Sequence, residues 1–118
     1  MKKFHFLLHT PVYVYTQSCP AGVVPLAFFK EPQGESYLLE REVAERENLA
    51  FTFSCRCIQL EVETALTTVG ITAKVAAVLA EHDIPCNVVA AFHHDYFFVP
   101  EARAERTVAL LNAAGLTS

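Results

Sequence analysis

The sequence lacks the signatures of several large classes of protein. It has no tryptophan and only four glycines, and it contains no phosphate-binding loop, dinucleotide fingerprint, nucleophile elbow or zinc-protease motif. Its nine basic residues are scattered and are outnumbered by thirteen acidic ones, for a net charge of -4. Because a phosphate backbone attracts clustered Lys and Arg side chains, this composition argues against a nucleic-acid partner. We expect neither an enzyme nor a cofactor.

Long hydrophobic runs are also missing. No segment approaches the roughly 18 apolar residues that a membrane span requires. The N-terminus resembles a signal peptide superficially, but His5 and His9 interrupt its short apolar run and no small-residue cleavage site follows. We therefore expect a mature N-terminus, a cytoplasmic location and no membrane partner.

The cysteines do not suggest a disulfide framework or a metal site. There are four of them, at positions 19, 55, 57 and 86. Cys55 and Cys57 lie two residues apart in an extended segment, and their C-x-C spacing lacks the loop of a zinc site. We predict reduced, buried thiols and no bound metal.

What is present is enough for one compact core. The chain has 118 residues, of which 53% are hydrophobic and 19% charged, as in a single folded domain. In the second half, hydrophobic periodicity predicts a strand, a helix, two strands joined by a two-residue turn, and a last helix. These elements are expected at 58–62, 71–82, 86–92, 95–99 and 101–114, with the turn at His93-His94 and with 86–92 as a central strand.

The first half predicts a similar order with its first helix reduced to a loop at 18–22. Strands are expected at 12–16, 24–29 and 36–39, followed by a short charged helix at 40–48. From 51 to 62 the apolar residues change from odd to even positions, and one strand cannot send both sets to one face. Either a β-bulge lies near Arg56-Cys57, or one strand ends there and another begins.

We favour the second alternative, which divides the domain into two related units at 11–57 and 58–118. The fold class is then α+β, with helices packed on one face of an antiparallel sheet.

The segment 69–72 (V-G-I-T) has the pattern of an anion-binding helix start. Gly70 lies at a strand-to-helix junction, where exposed N–H groups and the helix dipole favour a carboxylate or phosphate. Thr68 and Thr72 add hydroxyl groups. The alternative is that Gly70 only makes the turn and a threonine caps the helix.

Two further polar features are candidates. His93, His94 and Asp95 could bind a metal or transfer protons, although consecutive residues point in different directions and a polar hairpin turn is the alternative. Asn87 stands in an apolar run and needs a partner if it is buried, either the backbone or a ligand.

The stretch V-G-I-T-A-K-V-A-A-V-L-A-E-H-D-I-P-C-N-V-V-A-A-F-H-H-D-Y-F-F-V-P resembles the ACT-domain family, and particularly its small stand-alone bacterial members. Residues 34–40 (G-E-S-Y-L-L-E) resemble a segment of the family's first repeat. The resemblance covers roughly 11–114. It implies ferredoxin-like βαββαβ units that bind amino acids at interfaces between units, where the glycine loop meets the next strand of a neighbour.

Carried over residue by residue, the resemblance implicates Val69, Gly70, Ile71 and Thr72 on the loop side. The strand side would be Asn87, Val88 and Val89. The second unit has no evident last strand of its own, so either the N-terminal segment or another subunit would complete its sheet edge.

The leading hypothesis from the sequence is a non-enzymatic regulatory module that binds an amino acid and forms a homodimer, with a partner enzyme as a further candidate. The ligand carboxylate would lie after Gly70, and Asn87 or nearby carbonyls would accept from its ammonium group. The alternatives are a ligand-free structural or protein-interaction module of the same fold, and a metal-binding protein that uses His93, His94 and Asp95.

Overall fold

The computed structural model describes residues 3–62 and 70–117. The predicted loop at 63–68 lies outside the described residues. The described elements are β1 (Phe6–Thr16), β2 (Ala27–Glu31), β3 (Gly34–Glu40), α1 (Arg41–Arg46), β4 (Thr52–Leu60), α2 (Ile71–Glu81), β5 (Asn87–Ala90), β6 (Asp95–Pro100), a 3-10 turn (Glu101–Arg103) and α3 (Ala104–Ala113). None of the described helices is long and apolar enough to cross a membrane.

The chain divides into two units. The larger unit comprises Met1–Thr10 with Arg56–Ser118, and the smaller unit is Pro11–Cys55. β1 and β4 both cross this division, so each of these strands contributes one part to each unit.

In the smaller unit the strands follow the order β2-β3-β1-β4. β2 and β3 form an antiparallel hairpin that closes with Glu31 opposite Gly34. β3 also pairs antiparallel with the second part of β1, where Thr16 lies opposite Tyr37. The short helix α1 buries Ala44, and residues 17–26 contain no helix, in agreement with the predicted loop.

In the larger unit the strands follow the order β1-β4-β6-β5. Helix α2 buries Ile71, Val75 and Leu79, which are spaced four residues apart and therefore share one face. These side chains belong to a core that also contains Phe4, Phe6, Ile58, Leu60, Ile84, Phe97, Val99, Ala104 and Leu111. Burying each of the larger side chains stabilises the fold by about 1.5–3 kcal/mol.

The first part of β1 supplies the strand that the second half of the sequence lacks. It lies beside β4 in the strand order, and Phe6 is buried in the core of the larger unit. Of the two alternatives for completing this sheet edge, the N-terminal segment is therefore the one observed.

The beginning of β1 is held by the end of the chain. The Oδ1 atom of Asn112 accepts from the N–H of Phe6 at 2.8 Å, and its Nδ2 donates to the Phe6 carbonyl oxygen at 3.1 Å. The N–H of Phe4 donates to the Leu116 carbonyl oxygen at 2.7 Å. These contacts pair backbone groups that a sheet edge otherwise leaves open.

β4 is one continuous strand, so the prediction that one strand ends near Cys57 and another begins at Ile58 is wrong. The change in buried positions is present, because the consecutive residues Cys57 and Ile58 are both buried. Residues 52–55 of the strand belong to the smaller unit, whereas Ile58 and Leu60 pack in the core of the larger one.

β5 is a short strand at the end of the strand order and not a central strand. Val88 and Val89 are only half-buried, and sequence periodicity does not distinguish such an edge from a strand covered on both faces. The turn after β5 also differs: the N–H of Ala91 donates to the His94 carbonyl oxygen at 3.0 Å. The enclosed residues are Phe92 and His93, one position earlier than predicted, because Phe92 is exposed and does not continue the strand.

We expect Asn112→Leu to lower the free energy of unfolding by about 2 kcal/mol, because it leaves the N–H and carbonyl of Phe6 without partners. Urea unfolding followed by circular dichroism measures this change. Arg106→Gln on the exposed face of the same helix is the matched control and should stay within about 0.5 kcal/mol of the parent. An Asn112→Leu protein as stable as this control would show that the paired amide does not stabilise β1.

Candidate functional site

Gly70 gives α2 an open N-terminus. It is the N-cap residue with φ 92° and ψ -13°, in the left-handed region, which glycine adopts without the penalty of a side chain. Its carbonyl oxygen accepts from the N–H of Lys74 at 3.0 Å, the first bond of the helix. A Cβ atom added at Gly70 would meet nothing within 4 Å. The left-handed backbone conformation, and not a lack of space for a side chain, therefore explains why position 70 is a glycine.

Among residues 3–62 and 70–117, no side chain is seen to cap the first N–H groups of α2. The helix has no side-chain cap hydrogen bond and no acidic residue in its first turn. The first N–H groups of a helix have no partner within the helix, and they carry partial positive charge. Thr72 is exposed beside them, whereas Ile71 is buried in the core. The geometry suits a small anion.

Two basic residues that the sequence reasoning missed make hydrogen bonds at opposite ends of α2: Lys74 from the helix itself and Arg103 from the 3-10 turn. The ammonium of Lys74, in the first turn, donates to the Thr117 carbonyl oxygen at 2.8 Å. The Arg103 guanidinium donates to the carbonyl oxygens of His82 and Asp83 at 2.7 and 2.6 Å. A cation at a helix C-terminus is favourable, but no sequence spacing connects Arg103 to α2.

Of the other predicted site residues, three lie on β5: Asn87, Val88 and Val89. Thr68 and Val69 lie outside the described residues. Asn87 is exposed at the start of β5, and Val88 packs partly against the core. Asn87 lies opposite Phe98 in the pairing of β5 with β6, and Val89 lies opposite Tyr96.

Gly70 and Asn87 lie toward opposite ends of α2. The helix has 11 residues and is therefore about 16 Å long. Gly70 precedes it, and Asn87 follows its last residue, Glu81, by six positions. Cys86 and Val88, on either side of Asn87, share a cavity with the middle and C-terminal part of the helix. One small amino acid cannot contact both Gly70 and Asn87 of the same chain.

The cavity between α2 and β5 is apolar and has a volume of about 200 Å³. It is lined by Val75, Ala76, Leu79, Ala80, Ile84, Cys86, Val88 and Phe97. None of these described lining residues is charged, so they offer space for an apolar group and no counter-charge.

The thiols of Cys55 and Cys86 are not activated. Burial raises the pKa of Cys86 to about 11, with a smaller opposite contribution from a hydrogen bond to the Phe98 backbone. Burial likewise raises the pKa of Cys55 to about 11. All four cysteines are free. A thiol protonated at neutral pH is a poor nucleophile, so the cavity has no obvious catalytic group.

The histidine turn does not form the alternative metal site. Among residues 3–62 and 70–117, no three His, Cys, Asp or Glu side chains are placed to hold a metal ion. The ring of His93 contacts the exposed Phe92 edge-on, with centroids 4.9 Å apart. His94 lies edge-on to Tyr96 at 6.3 Å, with its Nδ1 atom buried and without a hydrogen bond. These contacts are those of an aromatic turn.

The fold and this helix start define a class of α+β protein, an antiparallel sheet with helices whose second-half helix begins at a left-handed glycine. The ACT domain family matches residues 52–113, slightly more than half of the sequence. The chain belongs to the ACT domain family, which confirms the resemblance found in the sequence.

Solved structures agree with this assignment. A protein of unknown function from Vibrio cholerae superposes with a TM-score of 0.84 and 31% identity, over 96% of this chain and 91% of that one. A protein from Agrobacterium tumefaciens gives a TM-score of 0.74 and 19% identity, over 98% and 91%. The regulatory subunit of aspartate kinase from Thermus flavus gives a TM-score of 0.69 and 9% identity, over 96% of this chain and 99% of that one. The last two identities show a shared fold alone. A search among curated proteins finds no significant match.

We expect Gly70→Ala to lower the free energy of unfolding by about 1–2 kcal/mol, because alanine disfavours the left-handed conformation. Gly70→Asn should cost less, because asparagine tolerates this region. Urea unfolding of both variants measures the difference. Equal stability of the alanine variant and the parent would mean that the left-handed backbone is not required.

The raised thiol pKa values predict that alkaline pH destabilises the fold. An unfolded cysteine loses its proton near its usual pKa of 9.0, whereas the folded Cys55 and Cys86 hold theirs to about 11. Their contribution to stability is therefore complete below pH 9 and is lost as pH rises toward 11. Unfolding free energies measured between pH 8 and about pH 11 should fall less steeply for Cys86→Ala than for the parent. Parallel slopes would contradict the assignment to Cys86.

Proposed function

We propose that this protein is a regulatory, non-catalytic module that binds an amino acid, with the ligand carboxylate at the start of α2 around Gly70. The observation that carries the proposal is the left-handed Gly70 ahead of a helix that, within the described part of the chain, has neither a side-chain cap nor an acidic residue in its first turn. Such an end offers N–H donors and positive potential to a carboxylate. The Lys74 ammonium adds a cation in the same turn.

We also propose that the two units are both ACT-like, the smaller one being degenerate because its first helix is reduced to a loop. The support is the strand order. The smaller unit has β1 as its first strand, followed by β2, β3 and β4, and the larger unit has β4 as its first strand, followed by β5, β6 and β1. In both units the second strand lies outermost, followed by the third, the first and the last: β2-β3-β1-β4 and β5-β6-β4-β1. A βαββαβ unit has this arrangement.

The strand side of the proposed site comes from a neighbouring copy, because Gly70 and Asn87 of one chain lie toward opposite ends of α2. β5 is an edge strand, and edge strands accept another strand readily. Antiparallel pairing of two β5 strands would move the partner's Asn87 toward the end of β5 nearest the start of α2. There the side-chain oxygen of the partner's Asn87 could accept a hydrogen bond from a ligand ammonium group, beside the partner's Val88 and the partner's Val89.

The aspartate kinase regulatory subunits among the structural neighbours support a regulatory role by analogy of fold. A homodimer that reports to a partner enzyme is the corresponding arrangement for this chain. The free state of all four thiols is consistent with a cytoplasmic location.

The second candidate is a ligand-free interaction module of the same fold. The observation that favours it is the pair of edge strands, β2 and β5, which end the strand order and could serve association alone.

A thermal-shift screen against the twenty amino acids at millimolar concentration tests the ligand. An amino acid present at 100 times its Kd stabilises the folded state by about 2.7 kcal/mol, which raises Tm by roughly 10 °C for a domain of this size. The variant Gly70→Asp should abolish the shift, because its carboxylate repels that of the ligand at the helix start.

Gly70→Asn is the matched control, since it has nearly the shape of Gly70→Asp without the charge and should keep a larger part of the shift. If no amino acid raises Tm in the parent protein, the ligand proposal fails and the interaction module is favoured.

A further inference from the structure

The residues after α3 lie between the segment that leads into β1 and the first turn of α2. Thr117 lies opposite Lys3 in an isolated antiparallel bridge, and the N–H of Phe4 donates to the Leu116 carbonyl oxygen at 2.7 Å. The next carbonyl, that of Thr117, accepts from the Lys74 ammonium at 2.8 Å. Because successive carbonyls of extended backbone point to opposite sides, the Thr117 carbonyl is directed away from Phe4 and toward α2.

The Lys74 ammonium extends toward the start of α2. Lys74 is the fourth residue of the helix and its side chain is exposed. Side chains on a helix lean toward its N-terminus, which here is Gly70. A cation and a backbone acceptor are therefore in contact at the helix start, where the first N–H groups of α2 add positive potential.

We propose that the Lys74 ammonium and the Thr117 carbonyl together bind the charged head group of an α-amino acid. The ligand carboxylate accepts from Lys74, and the ligand ammonium replaces the Lys74 ammonium on the Thr117 carbonyl. The ligand-free protein already places one ammonium group on this carbonyl. In an α-amino acid a single carbon separates the two charged groups, so one molecule fits between neighbouring donor and acceptor.

This pair of groups selects a zwitterion over a simple anion or a simple amine. A carboxylate without an ammonium group would draw Lys74 away and leave the Thr117 carbonyl without that donor, which offsets the gain. An amine without a carboxylate would meet the like charge of Lys74. An α-amino acid supplies both a charge-assisted acceptor for Lys74 and a charge-assisted donor for Thr117.

This inference rests on the proposed function, because it takes the carboxylate at the start of α2 as given and assigns the ligand ammonium to the same chain. An ammonium has three N–H donors, so Asn87 of the partner subunit can accept a second one. The two acceptors are separable by mutation.

Calorimetric titration with matched probes tests the head-group requirement. The probes are the amino acid with the largest shift in the thermal-shift screen, the carboxylic acid with hydrogen in place of its ammonium group, and the amine with hydrogen in place of its carboxylate. Each analogue should bind at least about 10-fold more weakly than the amino acid, because one charge-assisted hydrogen bond is lost. The same ratio should hold in Asn87→Ala, which removes the other acceptor.

The Thr117 carbonyl can be observed directly, because Thr117-Ser118 is the only Thr-Ser pair in the sequence. Carbonyl carbon-13 labelling of threonine with nitrogen-15 labelling of serine therefore gives one correlated NMR signal. Lys74→Met should shift this carbonyl signal upfield, because the donor is lost. A saturating concentration of the amino acid should move the signal back, whereas the carboxylic acid should not.

Lys30→Met, in the smaller unit, is the matched control and should leave both the Thr117 signal and the Kd of the amino acid unchanged. Lys74→Met should raise that Kd about 10-fold. If the carboxylic acid binds as tightly as the amino acid, if the ratio disappears in Asn87→Ala, or if the bound amino acid leaves the Thr117 signal of Lys74→Met unmoved, the inference is overturned and the proposed function stands. Failure of every amino acid to bind would overturn both.

Discussion

The structure depends on the division of two strands between two units. β1 has 11 residues and β4 has nine, both longer than the typical five or six. The first part of β1 closes the strand order of the larger unit, and its second part belongs to the smaller one; β4 is divided in the same way. The smaller unit takes its strands from the contiguous segment Pro11–Cys55, whereas the larger unit takes its strands from two separate segments. The larger unit therefore depends on pairing between residues distant in sequence.

The same arrangement explains the contacts of the chain ends. A unit that takes its last strand from the N-terminus needs that strand held in register. The amide of Asn112 and the carbonyl of Leu116 provide hydrogen bonds for this, and Phe6 provides the hydrophobic anchor. In the larger unit, α2 begins at the left-handed Gly70 and has Lys74 in its first turn. The proposed ligand chemistry is thus the chemistry of backbone donors positioned by a packed helix.

Sequence periodicity predicted α2 closely, since Ile71, Val75 and Leu79 define one buried face and Gly70 marks the start. It detected the change of buried positions at Cys57-Ile58 but assigned it wrongly to a break between strands. Periodicity also predicted a central strand at 86–92, whereas β5 is an edge strand. In both cases the residue pattern was identified correctly, whereas the strand neighbours were not, because period-two patterns carry no information on which strands lie alongside.

The sequence by itself determined the α+β class and the glycine-started helix, because these depend on local periodicity and on a backbone conformation that few residues adopt. The ACT domain family was indicated by the resemblance of its motifs and is shown by the family match. The tertiary structure decided which segment completes the larger unit, which strands form edges, and that Gly70 and Asn87 of one chain lie toward opposite ends of α2. Those features depend on pairing between residues far apart in the chain. The exposed Phe28 and Phe29 belong with them, since a phenylalanine on an open edge and one in a core have the same sequence pattern.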